Sequence, residues 1–181
     1  MKTINRILLV LTIALFSACQ GEDGPMGPPG EDGINILGKV YEIQGTFNAS
    51  NDYGLYYKFP TNLVDGDVVM VYILWEKASD GQGGSLDVWR ALPQTIFLDN
   101  GLFQYNFDYT LGDTQIYLEG DLGLLNPADT ENQIFRIAVI PADLAISQTL
   151  DLTNYQAVMS AIRVTPEKIK NISVTAPSIK Q

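Results

Sequence analysis

The chain holds no histidine and a single cysteine, Cys19, so most side-chain chemistries are closed to it. Ser-His-Asp and Cys-His nucleophile systems need an imidazole, and zinc, haem and iron–sulfur centres need His or Cys ligands. The glycines at 81, 83 and 84 do not form GxGxxG, because Leu86 stands where the last glycine belongs, and there is no Walker loop. Carboxylates remain. Asp108, Asp113, Glu119 and Asp121 fall close together in sequence, and a glycoside hydrolase needs only two acids at a set separation. Acids in the turns of an acidic chain are ordinarily solvated, so a non-catalytic protein is expected. Asp65-Gly66-Asp67 and Asp99-Asn100-Gly101 offer the oxygens that calcium favours, without the spacing of an EF-hand loop. As turns they need no metal, and no cofactor is expected; calcium is the one ion they would suit.

Ring stacking is the other chemistry on offer. Exposed aromatic side chains can bind sugars, which makes Trp75 and Trp89 the ligand-binding candidates. Trp75 ends an apolar run and Trp89 lies between Val88 and Arg90, positions that suit core or half-buried packing better.

Residues 1–18 have the three zones of a secretory signal peptide: Lys2 and Arg6, an apolar stretch from Ile7 to Phe16 broken only by Thr12, and then small Ser17 and Ala18. An apolar run of about 10 residues is too short to span a bilayer, which takes about 20. Cys19 has no partner for a disulfide within the chain. Phe16-Ser17-Ala18-Cys19 resembles the lipobox of bacterial lipoproteins, with Phe16 where that pattern has an aliphatic residue. The resemblance implies cleavage before Cys19, lipid attachment to its thiol and anchoring by acyl chains, of which two or three hold stably. Gln20-Gly21-Glu22-Asp23 is similar to the acidic export signal of surface lipoproteins of the Bacteroidetes, which implies the outer membrane and the cell surface.

Cleavage after Ala18 removes Lys2 and Arg6 from the 11 basic side chains and none of the 21 acidic ones, leaving 9 against 21 and a formal charge of about −12. Such a body is repelled by nucleic acid, whose binding rests on neutralising phosphates. It is also repelled by anionic lipid, so the anchor rather than charge must hold it to a membrane.

Residues 19–33 form a stalk. Gly21, Gly24, Gly27, Gly30 and Gly33 recur at every third position with Pro25, Pro28 and Pro29 between, a strict Gly-X-Y repeat. Only glycine fits at the axis of a collagen triple helix, and proline pre-sets the polyproline II backbone. The segment is expected either to bring three chains together or to act as a stiff spacer reaching roughly 40 Å at about 3.1 Å per residue.

Residues 34–181 read as one β-rich domain, an antiparallel sandwich or barrel with one short helix near the end. Phe103, Tyr105, Phe107 and Tyr109 alternate with Gln104, Asn106 and Asp108, the two-residue period of a half-buried strand; Tyr53 to Phe59 and Phe135 to Val139 behave alike. Val68 to Trp75 is apolar almost throughout, which suits a central strand covered on both faces. Further strands are expected at 36–47, 86–92, 95–98 and 114–119, and Asn100-Gly101 is the strongest hairpin signal. Thr153 is placed to cap a helix that puts Tyr155, Val158, Met159 and Ile162 on one face, ended by Pro166, and Ile169 to Val174 reads as a last strand.

Lipobox, GEDGPMGPPGEDG, GINILGKVYE and NQIFRIAVIPADL together resemble uncharacterised collagen-like lipoproteins of the Bacteroidetes. The resemblance implies location and architecture. The expected function is a membrane-anchored, non-catalytic structural or binding domain with an unknown extracellular ligand or protein as partner. The alternative is a carbohydrate-binding module or a small glycan-active enzyme using carboxylates.

Overall fold

The computed structural model describes residues 38–146, 150–164 and 169–173. The expected signal peptide and the lipid-attachment residue Cys19 lie outside these described residues. So do Pro166 and the five glycines of the Gly-X-Y repeat, Gly21, Gly24, Gly27, Gly30 and Gly33. Nine strands are described: β1 (Lys39–Gly45), β2 (Gly54–Lys58), β3 (Val68–Ser79), β4 (Ser85–Ala91), β5 (Gln94–Leu98), β6 (Gly101–Tyr109), β7 (Asp113–Gly120), β8 (Gln133–Ile140) and β9 (Lys170–Ser173). Three short helices accompany them, α1 (Pro127–Thr130), α2 (Ala142–Ala145) and α3 (Tyr155–Ala161).

The strands form a five-stranded sheet, β4-β3-β8-β1-β9, and a four-stranded sheet, β2-β7-β6-β5. Neighbours run antiparallel except β1 and β9, which are parallel. This is a mainly β single domain, an open sandwich and not a closed barrel.

Period-two alternation fixes which side chains meet. Val69, Val71 and Ile73 of β3, Tyr41 and Ile43 of β1, and Phe135, Ile137 and Val139 of β8 point inward, against Leu55 and Tyr57 of β2, Phe103 and Tyr105 of β6, and Ile116 and Leu118 of β7. The opposite face of the five-stranded sheet is covered as well. Val40, Tyr72, Ala138 and Ile140 pack there against Tyr155, Val158, Met159 and Ile162 of α3 and the residue after it. β3 is thus covered on both faces, as its unbroken apolar run implies. Gly38 lets the chain pass close under α3, since a Cβ there would stand 2.5 Å from the Cβ of Ile162.

The expected hairpin between β5 and β6 is present, and one local expectation is corrected. Asn154, not Thr153, caps α3: its side-chain oxygen accepts from the Ala157 amide at 3.1 Å, while the Thr153 hydroxyl donates instead to Asp151 at 2.6 Å. The β5–β6 hairpin turns at Asp99-Asn100, and Gly101 is already the first residue of β6, opposite Leu98. Neither Asn100 nor Gly101 takes a positive φ. A Cβ at 101 would displace the carboxylate of Asp121, which accepts from the Leu102 amide at 2.9 Å.

Candidate binding groove on the five-stranded sheet

Register assembles the candidate site. Arg136 lies between Phe135 and Ile137, which are both buried inward, so its side chain emerges on the helix-covered face. Glu42 of β1 stands opposite it on one side and Tyr72 of β3 on the other. The Arg136 Nε donates to Glu42 Oε2 at 2.8 Å, with only 17% and 20% of the two side chains exposed. Charges this far out of water persist only when paired and hydrogen-bonded. The pair leaves the site without net charge from either residue.

Two rings complete the cluster. Trp89 of β4 stands opposite Leu74 on the same outer face, and Tyr155 opens α3. Their rings stack at 5.4 Å and 25°. The guanidinium of Arg136 lies 4.1 Å from the centre of Trp89 and 5.6 Å from that of Tyr155, and its Nη1 donates to the Tyr155 hydroxyl. The three centres form a triangle with sides of 4.1, 5.4 and 5.6 Å, so the cation lies closer to Trp89 while still reaching Tyr155. A desolvated cation–π contact contributes about 2 kcal/mol. Tyr72 meets Tyr155 edge-on at 5.3 Å and donates to the Leu152 carbonyl at 2.7 Å, fixing the approach to α3. Burial pushes the pKa of the Tyr155 phenol up, and the charge of Arg136 opposes part of that rise.

An open groove of about 1110 Å³ runs along this cluster, between β4 and α3. Half-buried Trp89 and Arg136 and buried Tyr155 and Met159 line one part; Gln156 and Ser160, exposed and four residues apart along α3, line another. The acids at its border are already engaged. Asp87 accepts from Lys77 at 3.0 Å, an exposed pair. Asp151 is held below its usual range by hydrogen bonds from the Thr153 hydroxyl and amide.

The structure separates the two tryptophans. Trp75 is half-buried against the inter-sheet core, with the Arg90 guanidinium 3.9 Å from its ring. It borders a smaller cavity of about 280 Å³ beside Tyr105, Asp129 and Gln133. Trp89 packs on the other side of the same sheet.

The four acids do not converge on one point. Glu119 pairs with Gln104 across the β6–β7 ladder, whereas Asp108 lies four residues further along β6. At about 3.4 Å per residue the two are roughly 14 Å apart, beyond the roughly 5–9.5 Å that glycoside hydrolysis uses. Asp113, diagonal to Asp108, accepts from the Tyr56 hydroxyl at 2.5 Å and from Thr110 at 2.8 Å. Asp121 serves the hairpin described above. In the expected calcium turns, Asp67 accepts from the Val64 amide at 3.1 Å. Among the described residues no group of three or more His, Cys, Asp or Glu side chains is placed to hold a metal ion.

Arg136, Glu42 and Tyr155 are the site residues that sequence reasoning missed. Period two in β8 shows that Arg136 opposes the buried face, but its ion-pair partner is 94 residues away. Only the β1–β8 register brings them together. Compared with family models, with characterised proteins and with solved structures, the chain matches none. The functional reading therefore rests on its own residues.

Proposed function

We propose that this chain is an exported lipoprotein, anchored to the outer membrane through lipid on Cys19, that displays a non-catalytic binding domain at the cell surface. The observation that carries the reading is Phe16-Ser17-Ala18-Cys19 at the end of a signal-like apolar run, in a chain with no other cysteine. The Gly-X-Y repeat from Gly21 to Gly33 serves as the stalk, as a spacer or as a site of trimer formation. The groove beside Trp89 supports binding as the role of the domain, since it joins aromatic surface to hydrogen-bonding side chains in one concave place.

The anchor is tested by growing cells on a labelled fatty acid. The wild-type chain should take up label and sediment with membranes, and Cys19→Ala should lose both properties. A Cys19→Ala protein that is still labelled and membrane-bound refutes the proposal.

A further inference from the structure

We infer that the groove between β4 and α3 binds a neutral saccharide chain, with Trp89 as the stacking surface and Gln156 and Ser160 as hydrogen-bonding partners. The inference rests on the reading of the domain as a binding module and names its ligand class. Three features select that class.

The first is the aromatic surface. The faces of aromatic rings carry negative electrostatic potential, which attracts the weakly positive C–H groups on one face of a pyranose. Trp89 lines the groove and is half-buried as a residue. Stacking with Tyr155 and contact with the Arg136 guanidinium hold that ring in one orientation, so little side-chain freedom is lost when a ligand binds.

The second is charge. Among the described residues the one cation lining the groove, Arg136, is neutralised by Glu42 at 2.8 Å; of the bordering acids, Asp87 is paired with Lys77 and Asp151 keeps its negative charge. An anionic ligand finds no uncompensated cation in this lining, and it would approach a chain with 21 acidic against 11 basic side chains. A basic peptide would be drawn by charge, but it would have to desolvate its amide groups against Trp89 and Met159. A neutral polyhydroxylated ligand meets no charge repulsion, and its hydroxyl groups can exchange water for Gln156 and Ser160.

The third is hydrogen-bonding capacity and size. Gln156 and Ser160 project from the same side of α3 because residues four apart are neighbours on a helix. An amide and a hydroxyl each both donate and accept, which matches sugar hydroxyl groups. At about 1110 Å³ the groove lies just above the range of about 300–1000 Å³ for small-molecule sites, so several sugar units fit better than one.

The test uses the full chain in a detergent without a sugar headgroup. Trp75→Phe leaves Trp89 as the only tryptophan of the two, and its fluorescence is followed while neutral α- and β-linked hexose oligosaccharides are added. A uronic-acid oligosaccharide and a lysine-rich peptide are run beside them. A saturable fluorescence change is expected with at least one neutral oligosaccharide and with neither charged probe. Trp89→Ala, followed by calorimetry, should weaken binding about tenfold or more. Because Trp89 also packs on Tyr155, Gln156→Ala with Ser160→Ala, both exposed, provides the second variant and should weaken binding several-fold with unchanged melting. No response to any neutral oligosaccharide overturns the inference, as does preference for a charged probe or binding unaffected by both sets of substitutions. Loss of lipid attachment in Cys19→Ala has no bearing on these readouts, so the two proposals fail independently.

Discussion

Tyr57 has its ring in the middle of the sandwich, 5.0 Å from that of Tyr41 and 5.7 Å from that of Phe59, and only 6% of the residue is exposed. Its hydroxyl is buried without a hydrogen-bond partner among the described residues. Tyr105 is its counterpart: 4% exposed, with a hydroxyl that donates to the Asp129 carbonyl at 2.6 Å. Removing the same oxygen from each should change stability in opposite directions. A buried polar group left unsatisfied costs about 1–3 kcal/mol, whereas a satisfied hydrogen bond contributes about 1 kcal/mol. The void left by one oxygen offsets part of the gain at Tyr57. Tyr57→Phe should therefore stabilise by about 1 kcal/mol, which raises the melting temperature of a domain this size by about 3 °C. Tyr105→Phe should destabilise by about 1–2 kcal/mol, because the carbonyl of Asp129 loses its donor. Urea unfolding followed by circular dichroism measures both, with the midpoint moving and the slope unchanged. If Tyr57→Phe destabilises by about 1 kcal/mol or more, or if both variants move the same way, the phenol of Tyr57 is satisfied in the folded protein and the reasoning fails.

The remaining predictions concern charge and pH. Glu42→Met leaves the Arg136 guanidinium uncompensated, and Arg136→Met does the same to the carboxylate; each should cost about 2–3 kcal/mol, and the double variant clearly less than their sum. Purely additive losses in a denaturation cycle would show that the pair does not couple. Alkali should unfold the domain. Burial raises the phenol pKa of Tyr41, Tyr57, Tyr72, Tyr105 and Tyr155 above the ordinary 10.0. Because the folded values exceed the unfolded ones, this contribution is fully present below about pH 10 and is lost as the pH rises beyond it. Phenolate absorbance should rise for these tyrosines only together with loss of the circular dichroism signal. If all nine tyrosines titrate near their ordinary value in a chain that stays folded, the burial assigned to these five is wrong.

Much of the fold was legible because sheet burial repeats every two residues. Phe103 and Tyr105 inward with Gln104 and Asn106 outward follow from alternation alone, and so do Phe135, Ile137 and Val139. The helix face Tyr155, Val158, Met159 and Ile162 was equally plain, since all four are buried. The cap was less so. Thr153 and Asn154 are both good caps, and the choice fell to Asn154 because Asp151 engages the Thr153 hydroxyl. Helices α1 and α2 are single turns, too short to show a helical period. Asn126, read as part of a turn signal, caps the first of them through the Ala128 amide at 2.9 Å.

By itself the sequence determined which side-chain types are present, the signal-like start with Cys19, the Gly-X-Y repeat and the strand-rich class of the domain. Each of these is written in residue type or in a short local period. Which strands are neighbours was decided only in three dimensions, and with it the site. Glu42 and Arg136 meet through the β1–β8 ladder, and Trp89 reaches Tyr155 because α3 folds onto the outer face of the five-stranded sheet. Likewise Trp75 and Trp89, equivalent candidates along the chain, came to lie on opposite faces of that sheet. A side chain's own neighbours in sequence set its face, but its partners come from strand order and register, which local periodicity does not encode.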